Sequence, residues 1–81
     1  MDKVIAYVGD VDKVAATVLN WKLKDYKLVE ANSIKGKSIT NLVVVGGGAE
    51  KVFPSAKIRF VGKDRFDTVK KVLDYVVEST H

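Results

Sequence analysis

Asn41-Leu42-Val43-Val44-Val45 is an apolar run without polar alternation, and Gly46-Gly47-Gly48 ends it. A strand with one wet face alternates apolar and polar residues, whereas a strand covered on both faces does not. The run therefore demands a layer above and a layer below its sheet. In a chain of 81 residues, which is the length of one domain, helices must supply both layers.

The rest of the sequence has the matching pieces. Lys3 to Val8 is a short β-branched run closed by Gly9-Asp10. Val11 to Lys24 has helical spacing, with Val11, Val14, Ala15, Val18, Leu19, Trp21 and Leu23 on a wide apolar stripe, and Asp10 or Asp12 is placed to cap it. Tyr26 to Ala31 reads as a second strand, and Asn32 to Thr40 as a polar connector around Gly36, with room for a turn of helix. After Asn41–Val45, only a short helix fits over Ala49 to Phe53, because Pro54 stops it. Ala56 to Gly62 is a fourth strand. Asp64 to Glu78 is the clearest helix, with Phe66, Val69, Val72, Leu73, Val76 and Val77 on one face. On its other face are the pairs Asp67–Lys71 and Lys70–Asp74, and Asp64 with Asp67 has the form of a capping box.

The order β-α-β-β-α-β-α predicts an α/β three-layer sandwich of four mostly parallel strands arranged 2-1-3-4, a single domain over residues 1–81. Ligands in such sheets bind outside the carboxyl ends of the strands, at the switch point. That edge gathers Asp10 and Asp12, Asn32 and Ser33, the triglycine, and Lys63-Asp64-Arg65.

Composition narrows the function classes. No cysteine is present, so disulfides and thiolate metal sites are excluded. No apolar run approaches the roughly 20 residues that span a bilayer. Met1-Asp2-Lys3-Val4 enters a strand pattern without the basic and apolar regions of a signal peptide, so a cytoplasmic protein is the expectation. Abundant Lys and Val with no Cys suit a thermophile. The net charge of +4 comes from 14 basic and 10 acidic residues. Lysine is spread along the whole chain, which reads as a solvated surface and makes nucleic acid the less favoured partner.

Each candidate for chemistry has a structural reading beside it. Gly46, Gly47 and Gly48 after a buried strand let backbone N–H groups approach an anion, or simply form a tight strand-to-helix turn. Gly36-Lys37-Ser38 imitates the end of a phosphate loop, but Ala31 stands where that loop needs its first glycine, and a strand follows where a helix should. Asp10 and Asp12 are the weak candidates for a divalent cation, short of a third carboxylate. His81 is the sole histidine and is terminal, so no catalytic triad or histidine metal cluster assembles. No catalytic residue and no cofactor are assigned, and an enzyme is the less favoured reading. The aromatic residues fall at core-like positions and read as packing.

Three stretches carry a resemblance. "RFVGKDRFDTVKKVLDYV", Arg59 to Val76, resembles the signature of the type 2 cell-wall-binding repeat, with Gly62, Asp64, Arg65, Phe66 and Thr68 on its Gly-x-Asp-Arg-aromatic-x-Thr pattern. "NLVVVGGGAEKV" is similar to that family's strand ending in a glycine pair. "VIAYVGDVDKVAATVL" is similar to its strand, Gly-Asp and Ala-rich helix, with Gly9, Asp10, Asp12, Ala15 and Ala16 on the pattern. The sequence departs from the family at Tyr26-Lys27-Leu28-Val29, where Pro-Ile-Leu-Leu is usual, and holds one unit. The resemblance implies a small Rossmann-like, Toprim-like unit of a kind that packs in threes and anchors proteins to anionic wall polymers.

The resulting expectation is a self-associating binding module, a homotrimer that supplies from three copies what the family builds from three repeats. Its anionic small molecule or polymer would meet Gly46, Gly47, Gly48, Lys63, Arg65 and Asn32. The alternatives are a small phosphate- or nucleotide-binding protein in which Asp10 and Asp12 hold a metal, or a weak nucleic-acid binder.

Overall fold

The computed structural model describes residues 3–79. The elements are β1 (Lys3–Tyr7), α1 (Asp10–Lys22), β2 (Lys27–Glu30), a 3-10 turn (Ala31–Ile34), β3 (Asn41–Val45), α2 (Gly47–Val52), β4 (Ile58–Phe60) and α3 (Arg65–Ser79). The sheet order is β2-β1-β3-β4 and every pairing is parallel, as the strand–helix alternation predicts. Register is set at the centre, where Ile5 of β1 lies between Leu28 of β2 and Val43 of β3.

Successive side chains on a strand point to opposite faces, so each apolar run feeds two cores. Ile5, Val43 and Val45 pack beneath α1 and α3 with Ala15, Ala16, Leu19 and Val72. Val4, Ala6 and Val44 pack on the other face against the 3-10 turn and α2, through Ala31, Ile34, Ala49 and Phe53. The three layers are thus α1 with α3, the sheet, and α2 with the 3-10 turn.

Several local expectations are revised. Neither Asp10 nor Asp12 caps α1. The N-cap is Gly9, at φ 89 and ψ 160, with no side-chain bond, and both aspartates fall in the first turn, where they meet the positive end of the helix. The expected strand over Ala56–Gly62 contracts to Ile58–Phe60. Ala56 N–H donates to the Phe53 carbonyl at 3.2 Å, closing a turn around Pro54, while Gly62 N–H turns away to Thr68 Oγ1 at 3.0 Å. The polar connector after β2 supplies one 3-10 turn, held where Ser33 Oγ donates to the Glu30 carbonyl at 2.6 Å.

The aromatic residues divide. Phe53 is buried, and Phe60 stacks edge-on with Tyr75 at 5.2 Å, fixing one flank of α3 against the edge strand β4. Trp21 and Phe66 are 68% and 77% exposed, contrary to the packing role expected of them. Phe66, Leu73 and Val77 run along the flank of α3 away from β4, and Val11, Val14 and Trp21 recur along α1, which packs beside α3. All six are exposed, so the apolar stripe of each helix is wider than the sheet beneath it covers.

Candidate functional site

The carboxyl ends of β1, β3 and β4 open into a cavity of about 510 Å³. Three turns build it. The turn after β1 contributes Gly9, Asp10 and Asp12, the turn after β3 contributes Gly47, and the turn after β4 contributes Lys63, Asp64 and Arg65. The parallel order of the sheet brings these turns to one rim.

The turn after β4 is the most tightly determined. Asp64 Oδ1 accepts from Asp67 N–H at 2.9 Å, and Asp67 Oδ2 accepts from Lys63 N–H at 3.0 Å. This is a capping box in which the returning carboxylate reaches the residue before the cap rather than the cap itself. Thr68, 2% exposed, accepts from Gly62 N–H and donates to the Asp64 carbonyl at 3.1 Å. Lys71 Nζ closes the loop on the Val61 carbonyl at 3.0 Å. With the N–H groups of Gly62, Lys63, Asp67 and Thr68 committed internally, this corner meets a ligand chiefly through the Lys63 and Arg65 side chains.

The other two turns differ. The α1 terminus has no side-chain cap, so its first-turn N–H groups are free to face an anion. Gly46 has φ 90 and ψ 158, its N–H donates to the Phe60 carbonyl at 2.9 Å, and the Asp12 carboxylate lies where a Cβ would stand. Only glycine satisfies both the torsion and that approach. Gly48 lies against the Val8 side chain. Of the triglycine, then, Gly47 faces the cavity, while Gly46 and Gly48 shape the turn.

Of the other residues singled out in the sequence, Asn32 sits on the 3-10 turn beyond the cavity lining, its Nδ2 donating to Glu30 Oε1 at 3.3 Å. His81 lies outside the described residues. No group of three acidic or histidine side chains among the described residues gathers as a metal site. Thr68 also lines the cavity, and the sequence signal for it was its place in the Gly-x-Asp-Arg-aromatic-x-Thr stretch. No helix among the described residues is long and apolar enough to cross a membrane.

Asp12 is electrostatically the most perturbed group on the rim. Partial burial pushes its carboxyl above the usual aspartate value of 3.8, and the Arg65 guanidinium pulls it part of the way back. A carboxyl whose pKa is raised by folding favours the fold when protonated, and that contribution is lost as pH rises through the folded value. Asp12→Asn is therefore expected to raise the thermal midpoint at neutral pH and to leave it unchanged at a pH well below 3.8. Thermal unfolding followed across that range checks this, and a midpoint lowered at neutral pH would contradict it.

Comparison with known proteins places the architecture. No protein-family model matches the sequence, and no curated protein matches it. Among solved structures, the chain is similar to a chain of the CTP1L endolysin, an endolysin whose activity is regulated by a secondary translation product. The TM-score is 0.78 and the identity 24%, over 96% of this chain and 99% of that one. It is also similar to the C-terminal domain of a CTP1L endolysin mutant that reduces autoproteolysis, with TM-score 0.77 and identity 25%, over 95% of this chain and 96% of that domain.

Proposed function

We propose that the chain is a non-enzymatic binding and assembly module that holds an anionic group of a wall-type polymer at the carboxyl edge of its sheet. The observation that carries the reading is the rim cavity itself. Lys63 and Arg65 line it, and neither side chain forms a hydrogen bond or ion pair with another described residue. Some cations elsewhere are engaged, Lys3 with Asp25 at 2.6 Å, Arg59 with Glu50 at 3.5 Å and Lys71 with Asp67 at 4.0 Å. A guanidinium and an ammonium group beside uncapped helix N–H donors suit a phosphate or carboxylate. The likeness to the C-terminal domain of an endolysin and the sequence resemblance to the type 2 cell-wall-binding repeat point in the same direction.

The test is a titration of the labelled protein with inorganic phosphate and with polyphosphate, followed by amide shifts. Movement is expected at Gly47, Lys63 and Arg65. The double variant Lys63→Ala, Arg65→Ala is expected to weaken binding by about a hundredfold or more, since each charge-assisted contact contributes about 1.5–3 kcal/mol. Lys51→Ala, on α2 away from the cavity, leaves binding unchanged. No movement at the rim with any anion would remove the reading.

Assembly is the second half of the proposal. The apolar outer surface of α1 and α3, with Phe66 near the cavity end and Trp21 near the opposite end, is the face that further copies of the chain cover. Exposed aromatics on so small a protein favour association.

A further inference from the structure

The charge balance of the rim cavity narrows the ligand beyond the reading just proposed, on which this inference rests. Asp10, Asp12 and Asp64 line it against Lys63 and Arg65, one more acid than base. Asp64 is committed to the α3 cap. Asp10 and Asp12 are not, since neither carboxylate forms a hydrogen bond or ion pair with another described residue. No direct ion pair joins Asp10 or Asp12 to Lys63 or Arg65, although Arg65 is close enough to act on Asp12 through space. The cavity therefore presents two carboxylates and two cations, none of them in a hydrogen bond or direct ion pair, to one open cleft.

A ligand with negative charge alone would be drawn by Lys63 and Arg65 and repelled by Asp10 and Asp12, and like charges facing each other across an interface are a strong bar to binding. A ligand with both signs answers both pairs. A volume of about 510 Å³ is within the range of small-molecule pockets, and the lining at the mouth is polar. We propose that the cavity takes a zwitterionic saccharide unit, an amino sugar that carries an anionic substituent. Its ammonium faces Asp10 and Asp12, and its anion faces Lys63, Arg65 and the free N–H groups at the start of α1. The module is then specific for sugars with an unmodified amine, since acylation of that amine removes the positive charge and keeps the anion.

Two probes decide the matter, glucosamine-6-phosphate and N-acetylglucosamine-6-phosphate, which share ring and phosphate and differ in the amine charge. In amide-shift titrations at neutral pH, the amine form is expected to bind about tenfold more tightly or better, one well-formed charge contact being worth that factor. Asp12→Asn and, separately, Asp10→Asn should shrink that preference severalfold. Asp12→Asn should also strengthen binding of the acetylated probe, by removing a repulsion. The amide spectrum of each variant reports its fold independently, and the two variants guard against one of them misfolding. Equal affinity for the two probes would overturn the inference while leaving the anion-binding reading standing, as would a preference unchanged in both variants. No binding of either probe would overturn both.

Discussion

Gly62→Ala is expected to lower the free energy of unfolding by about 3 kcal/mol, at the upper end of what overpacking costs. A Cβ on Gly62 would lie 2.5 Å from Thr68 N and 2.6 Å from the Asp67 carbonyl carbon. These are backbone atoms in the first turn of α3, so no rotamer change relieves the overlap. The turn must move, and with it the bonds that end on Thr68 Oγ1 and the Asp64 cap. A chain of this length has a total stability of about 4–12 kcal/mol, and the loss corresponds to a fall in melting midpoint of more than about 10 °C. Gly47→Ala is the matched control. Nothing lies within 4 Å of its Cβ position and its φ is not in the left-handed range, so alanine there should be neutral or mildly stabilising. Denaturant unfolding of the two variants checks the contrast, and equal stabilities would show that the Gly62–Thr68 contact is not the constraint described.

The second large effect is on mass. Sedimentation equilibrium at tens of micromolar is expected to give three times the 8.9 kDa of one chain. The double variant Trp21→Lys, Phe66→Lys is expected to give one chain. Both side chains are largely exposed, so the substitutions leave the two cores untouched and the fold intact. What they remove is the aromatic surface that the proposed assembly would cover, and large aromatic anchors dominate the energetics of such contacts. Two lysines also place charge at both ends of the apolar face. A wild-type mass of one chain at every concentration would end the assembly half of the proposal and leave ligand binding untouched.

The parts of the fold that were legible came from residues whose local chemistry and global position agree. Val43 to Val45 showed no alternation because α1 with α3 covers one face of the strand and α2 the other. Strand–helix alternation then fixed the parallel order, and the order brought Asp10, Gly47 and Lys63 to one rim. Asp64 was legible as a cap because its partner Asp67 stands three residues on. At α1 the same rule misled: Gly9 takes the cap torsion, and Asp10 and Asp12 fall one and three residues inside. The division of labour within the triglycine was not legible, because it depends on Asp12 and Val8 arriving from another turn. Nor was the exposure of Trp21 and Phe66. Helical periodicity says which residues share a side, and only the width of the neighbouring layer says where cover stops.

The all-parallel sheet has one more result. β1 enters at the pole opposite the cavity, and α3 starts beside the cavity and runs its 15 residues, about 22 Å, back to that same pole. Lys3 and Ser79 therefore emerge together at the base. A group attached at Lys3 or Ser79 would thus sit on the side of the fold away from the cavity.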